Sequence, residues 1–238
     1  GVQQRQTLWK APVQGGSGIR LDDLPVEGPV TWSGGAWLPD GTILLLKFVI
    51  PTSLELYRMS DQGGDLQPFL MPDSARNEFG VMSSGYLPDG KTFLLTVLEK
   101  GDADAVERQA QRFRDDQSAA TAIRVLGVVS SKIVVLSEAQ ERRTLALPGD
   151  FVSGVLYVPT GHIVYRRPSL GPILDNKYNV WAAPFSVSEA RVTGEPSLIA
   201  RDVSEFSVSS DGTLVYRPAG DVFPERQLVW VDRNGTVT

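Results

Sequence analysis

Leu38-Pro39-Asp40-Gly41, Leu87-Pro88-Asp89-Gly90, Val158-Pro159-Thr160-Gly161 and Ser209-Ser210-Asp211-Gly212 each stand between two apolar runs. Pro, Asp and Gly in that order are hairpin-turn chemistry: proline presets φ, aspartate bonds nearby backbone, and glycine supplies positive φ. The four glycines are 49, 71 and 51 residues apart, and the long interval holds a charged, alanine-rich stretch of 22 residues, Lys100 to Thr121, without which it becomes 49. A second landmark keeps the same phase. Trp9, Tyr57 and Trp181 precede the next turn glycine by 32, 33 and 31 residues, and Trp230 is a further copy near the C-terminus.

Each period reads as strand, turn, strand, longer connection, aromatic-bearing strand, turn and short strand. Ile43 to Ile50, Thr92 to Leu98 and Ile163 to Tyr165 are rich in β-branched and aromatic residues, and Gly15-Gly16, Gly63-Gly64 and Asn234-Gly235 punctuate the ends. Four strands in a repeat of about 45 to 50 residues are the signature of a propeller blade. A lone four-stranded sheet leaves both faces in water, and stacking such sheets around an axis covers them. The expected fold class is therefore all-β: a β-propeller of four-stranded antiparallel blades with one short helical insertion.

Residues 7–24 supply two outer strands, blades follow at about 28–75, 76–149 and 150–201, and 203–238 gives an inner pair plus a third strand. The two ends together hold five strands, not four, so they do not merge into one regular blade. The chain is thus expected to be an incomplete portion, about four to five blades, of a six-bladed or larger ring. An irregular closed ring is the alternative. The start at Gly1 also reads as an excised or processed piece.

Composition excludes many function classes. The 238 residues are 42% hydrophobic and 21% charged, with a net charge of −5, which is ordinary globular composition and a poor match to the basic face that a nucleic-acid backbone demands. With no cysteine, a disulfide scaffold, a thiolate metal site and a cysteine nucleophile are all impossible. His162, the sole histidine, rules out multi-histidine zinc sites. No Gly-x-Ser-x-Gly elbow accompanies it. No apolar run of about 18 residues is present, so no membrane insertion through a helix is expected.

Gly34-Gly35-Ala36-Trp37-Leu38-Pro39-Asp40-Gly41-Thr42-Ile43-Leu44, Gly85 to Gly90, Ala183-Pro184-Phe185, Val192 to Pro196, Phe206 to Ser209 and Gln227 to Gly235 occur in this order. With them the chain resembles, over nearly its whole length, the TolB-like, Pro-Asp (WD40-like) repeat six-bladed propellers. It is most similar to those found C-terminal to bacterial transmembrane serine/threonine kinases. The resemblance implies a kinase-linked, extracytoplasmic sensor or protein-binding module. Where such propellers often carry a histidine-aromatic segment, this chain has Asn77-Glu78-Phe79-Gly80-Val81-Met82, so the ligand chemistry of that segment does not carry over. The Lys100 to Thr121 insertion is longer than in those propellers, and no kinase catalytic motif set is present.

Gly85-Tyr86-Leu87-Pro88-Asp89-Gly90-Lys91-Thr92 satisfies the written pattern of a phosphate-binding P-loop, which requires a helix after Lys-Thr. Here Phe93 to Leu98 reads as a strand, so the segment is a turn. Asp22-Asp23 and Asp115-Asp116 lack the spaced oxygen donors of a calcium loop, and Asn234-Gly235-Thr236 is a tight turn before it is a glycosylation sequon. Neither metal nor cofactor is expected.

Propellers take ligands where the connections entering the innermost strands converge. On this register the channel-mouth candidates are Trp32, Asn77, Glu78, Phe79, Asp150 and Glu205, suited to a protein, peptide or small polar ligand. The same aromatics would equally serve as packing between blades. Val106, Ala110 and Phe113 fall at i, i+4 and i+7 and form a short apolar stripe, a candidate docking element if helical; a mobile charged loop is the other reading. Pro168 to Lys177 is a second long connection. Unpaired edges of incomplete blades would favour self-association.

The resulting functional expectation is a noncatalytic sensor or binding module of a larger bacterial signalling protein. Two alternatives stand beside it, the substrate-gating propeller of a prolyl-oligopeptidase-type serine peptidase and a structural scaffold without a small ligand. A downstream Gly-x-Ser-x-Gly in the full-length gene would mark the peptidase; an upstream kinase domain and membrane span would exclude it.

Overall fold

A computed structural model describes residues 6–219 apart from 27, 29, 34, 50, 113, 115–116 and 169–176. The turns set its rhythm. In all four, the glycine N–H donates to the carbonyl three residues back: Gly41 to Leu38 at 3.1 Å, Gly90 to Leu87 at 2.9 Å, and Gly161 to Val158 and Gly212 to Ser209 at 3.0 Å. Each glycine has positive φ, between 68° and 90°, which a side chain would resist. In three turns the aspartate accepts the backbone N–H two residues on, Thr42 from Asp40, Lys91 from Asp89 and Thr213 from Asp211.

The Asp89 turn carries a testable charge. Partial burial works to raise its carboxyl, but hydrogen bonds from the Thr92 hydroxyl and from the Lys91 and Thr92 backbone outweigh it and hold the group below the usual carboxylate range. A carboxyl depressed in the folded state contributes stability above its unfolded value, near ~4, and that contribution disappears as pH falls through the lower folded value. Asp89→Ala is therefore expected to cost about 1 kcal/mol at pH 7, by the hydrogen bonds it loses. The difference from the parent should shrink below pH about 4, which urea titrations at the two pH values check.

Between the turns lie β1 (Gln6–Lys10) and β2 (Ile19–Leu24), a two-stranded hairpin, and then β3 (Val30–Ser33), β4 (Thr42–Val49), β5 (Ser53–Ser60) and β6 (Gln67–Leu70), paired antiparallel in sequence order. A single turn of 3-10 helix, Ser74–Arg76, leads into β7 (Glu78–Tyr86), followed by β8 (Phe93–Lys100), β9 (Val128–Leu136) and β10 (Arg142–Thr144). The next set is β11 (Ser153–Val158), β12 (His162–Pro168), β13 (Tyr178–Ser186) and the two-residue β14 (Arg191–Val192). β15 (Ser197–Val208) pairs with β13 through its first half and with β16 (Leu214–Pro218) through its second. It bends at Asp202, whose φ is 50°. One strand thus leaves the outer edge of one sheet and opens the next.

Strand alternation decides how the sheets stack. On β4, Leu45 turns to a cluster with Leu24, Trp32 and Met59, facing β1–β2, whereas Leu44 joins Leu56, Val81, Leu95, Val134 and Leu136, facing β7–β10. On β8, Leu94 points the other way from Leu95, into a cluster with Ile133, Val155, Ile163, Tyr165, Ala183 and Phe185. On β12 and β13, Val164 and Val180 turn from that cluster to another, shared with Val203, Phe206 and Leu214. Each middle sheet therefore buries both faces against different neighbours. A two-layer sandwich covers only one face of each sheet. The fold is the incomplete β-propeller that the repeat predicts. Inner strands β7 and β11 lie side by side: a Cβ added to Gly85 would come within 3.4 Å of the Val155 carbonyl oxygen.

The helical insertion is a pair, α1 (Ala103–Arg112) and α2 (Gln117–Leu126), between β8 and β9. Asp102 caps α1 by accepting the Ala105 N–H at 2.7 Å, and the Gly101 N–H donates to the Gly127 carbonyl at 3.1 Å, closing the base of the hairpin. Helix extends to Leu126, past the charged stretch that marks the insertion in the sequence, because Ala120 and Ile123 of α2 supply the apolar face on which Val106 and Ala110 of α1 pack.

Candidate functional site

The innermost strands β3, β7 and β11 and the second half of β15 begin at one end of the sheets, and the predicted residues distribute themselves there unevenly. Trp32 is 7% exposed; its indole N–H donates to the Pro25 carbonyl at 2.8 Å and its ring meets Tyr57 edge-on at 5.1 Å. Phe79, 1% exposed, packs with Leu54, Leu98 and Phe151. The Glu78 carboxylate is buried: it accepts the Arg142 guanidinium at 2.8 and 3.0 Å and the Asp73 N–H at 2.9 Å. These three side chains are committed to the interior.

Asn77, Asp150 and Glu205 are exposed. Asn77 closes the 3-10 turn in the left-handed region, and its carbonyl accepts the Lys100 N–H at 2.7 Å. Glu205 pairs with Arg217 at 3.3 Å on the last described sheet. Asp150 pairs with Arg112 at 2.5 Å, which ties the end of α1 to the entry of β11. The structure thus brings the helical insertion to Asp150, with Phe79 and Phe151 sharing one cluster beneath, while Trp32 lies on β3 and Glu205 on β15, outside that cluster.

In the insertion, Ala110 is fully buried and Val106 partly so, both against α2, and Phe113 lies outside the described residues. The Arg124 guanidinium grips Glu107 with two bonds of 2.9 Å and holds its carboxyl below the usual range. His162 contacts Thr160 through Nδ1, at 3.1 Å from its carbonyl oxygen, in the third turn. The segment with the P-loop pattern is the second turn and runs into β8, not a helix. Asp23 pairs with Arg20 and accepts the Thr7 hydroxyl. Asp115, Asp116, Trp230, Asn234 and most of the Pro168 to Lys177 connection lie outside the described residues.

Sequence reasoning missed Arg166 and Arg167, at the C-terminal end of β12, where it runs beside the entry of β11. Arg166 lies 4.6 Å from the Tyr178 ring centroid and Arg167 5.0 Å from that of Trp181. Each guanidinium also occupies space that a missing Cβ leaves open, Arg166 at Gly154 and Arg167 at Gly149, where an added Cβ would come within 2.6 Å. The signal was two adjacent cations closing an apolar strand, Ile163-Val164-Tyr165-Arg166-Arg167.

No family model matches the chain, and no curated protein matches it. Among solved structures it is similar to TolB from Acinetobacter baumannii, with 15% identity over 97% of this chain and 47% of that one and a TM-score of 0.53. It is also similar to a protein assigned as TolB from Agrobacterium tumefaciens, with 16% identity over 98% of this chain and 72% of that one and a TM-score of 0.53. The chain thus spans about half the length of the first. At these identities the likeness speaks for architecture alone, and the architecture is that of part of a TolB-like β-propeller.

Proposed function

We propose that this chain is a noncatalytic binding module, taking a protein, peptide or polar ligand at the end where the inner strands begin. The observation that carries the reading is the coupling of the helical insertion to that end through Arg112 and Asp150. A stack of sheets buried on both faces is rigid, and on such a scaffold the loops and an insertion are free to carry recognition. Asn77, Asp150 and Glu205 are the exposed polar residues of the proposed surface, and α1–α2 is its docking element.

The larger setting we infer is an extracytoplasmic sensor region of a bacterial signalling protein with a serine/threonine kinase elsewhere in its chain. Its support is the resemblance of the repeat segments to such propellers. Reading the full-length gene tests that setting: a kinase domain and a membrane span upstream are expected, and a serine-hydrolase domain downstream contradicts it.

The binding reading is tested by thermal-shift screening of the chain against peptides and sugars. A ligand at a hundred times its Kd stabilises the native state by about 2.7 kcal/mol. In a chain of this size that raises Tm by roughly 5–10 °C. Asp150→Ala, which also frees Arg112, is expected to reduce the shift produced by any ligand found. A broad panel producing no shift contradicts the reading.

A further inference from the structure

Three of the four turns place an aspartate directly before a glycine, Asp40-Gly41, Asp89-Gly90 and Asp211-Gly212; the third turn has Thr160 there instead. An aspartyl-glycyl pair can close on itself, because glycine has no side chain to crowd the ring that forms. The glycine nitrogen bonds to the aspartate Cγ, and its proton leaves with the carboxyl hydroxyl as water, giving a five-membered succinimide. Water then opens the ring. Opening at Cγ restores aspartate, and opening at the main-chain carbonyl leaves isoaspartate, whose backbone runs through the former side chain. One water is lost and one is regained, so the conversion needs no oxidant, reductant or cofactor.

To react, the carboxyl must release its hydrogen-bond donors and turn back toward the adjacent nitrogen, and the three turns hold it unequally. Among the described residues Asp40 accepts the Thr42 N–H alone, at 2.9 Å. Asp211 accepts the Ser209 hydroxyl and, at 3.0 Å, the Thr213 N–H. Asp89 accepts the Lys91 N–H at 3.0 Å, the Thr92 N–H at 2.9 Å and the Thr92 hydroxyl at 2.6 Å. Protonation acts in the same direction, since the neutral carboxyl is the form that loses water. The Ser209 hydroxyl and then the Thr213 N–H hold Asp211 below the usual carboxylate range, and at Asp89 the hydrogen bonds outweigh partial burial and do the same. The glycines differ too. A Cβ added at Gly90 or Gly212 would lie 3.7 Å from Pro39 Cγ or 3.0 Å from Thr160 Cγ2, atoms of the preceding turn, whereas the atoms nearest Gly41 belong to the Asp61 carboxylate.

We infer that Asp40-Gly41 is a site of spontaneous isoaspartate formation in the folded protein, and that the hydrogen bonds around Asp89 protect the same dipeptide one sheet further on. This chemistry belongs to the scaffold and needs no ligand, so it goes beyond the binding reading. The added backbone methylene would displace the Gly41 N–H from the Leu38 carbonyl, the bond that closes the first turn.

The test incubates the folded protein in warm neutral buffer made with heavy-oxygen water, so that each ring opening leaves one heavy oxygen on the aspartyl residue. Digestion and mass spectrometry with electron-transfer fragmentation then measure heavy oxygen and isoaspartate at the three sites, beside synthetic peptides of the same three turns. The peptides are expected to react at similar rates. In the folded protein Asp40 is expected to react about tenfold or more faster than Asp89, as two further hydrogen bonds of ordinary strength imply, with Asp211 between them. Thr92→Val, which loses the hydroxyl, is expected to speed Asp89 about fivefold and leave Asp40 unchanged. Thr92→Ser, which keeps the hydroxyl, is expected to leave both unchanged. A rate at Asp89 equal to or above that at Asp40 overturns the assignment, as does an Asp40 that stays intact while its peptide converts. A folded Thr92→Val protein whose Asp89 reacts no faster than the parent's overturns the protection.

Discussion

Arg142→Ala is expected to destabilise the protein by about 3–5 kcal/mol, the usual cost of removing one member of a buried ion pair. The Glu78 side chain is 2% exposed and that of Arg142 16%, and the guanidinium meets both carboxylate oxygens. Removing Arg142 strands a carboxylate in the interior with only the Asp73 N–H to bond it. The double variant Glu78→Gln/Arg142→Met removes both charges and is expected to recover most of the loss, because a buried pair contributes little net stability compared with apolar side chains of similar volume. Urea unfolding of the parent and the two variants gives the comparison; equal stability of Arg142→Ala and the parent would contradict the burial of Glu78.

Phe79→Ala is expected to cost about 3–5 kcal/mol, as emptying a filled core site does. Phe79 is 1% exposed, among Leu54, Leu98, Val128 and Phe151, with the Lys100 ammonium 5.4 Å from its ring centroid. Its neighbour Asn77 is exposed, and Asn77→Gly, which preserves the left-handed conformation, is expected to change stability by only a few tenths of a kcal/mol. The contrast separates packing from recognition within three residues. A Phe79→Ala protein with parental stability would show that the aromatic does not fill the space between sheets.

What was legible in the sequence is what local chemistry decides. The Pro-Asp-Gly turns announce themselves because proline, aspartate and glycine each act within a few residues, and the four copies form the same glycine hydrogen bond. Periodicity then placed strands on either side of each turn, as the described residues have them. The site was less legible, since its pairings are distant: Glu78 meets Arg142 across 64 residues and Arg112 meets Asp150 across 38. An aromatic beside an acid at an entry looks alike whether it faces the channel or the core, and Trp32 and Phe79 face the core. The second helix escaped notice because its start, Gln117-Ser118-Ala119, carries no apolar stripe of its own, while the residues that make it pack, Ala120 and Ile123, gain meaning only against α1. Arg166 and Arg167 were visible as a pair, but their places over the Tyr178 and Trp181 rings are a property of the assembled sheet.

Methyl NMR of selectively labelled protein tests the stacking of successive sheets most directly, through side chains adjacent on one strand. The account predicts that Leu94 methyls show cross-peaks to Val155 and Ile163, that Leu95 methyls show them to Leu44 and Val81, and that both leucines are shielded from water. Cross-peaks from both leucines to one common set of methyls, or exposure of either leucine to solvent, would contradict it.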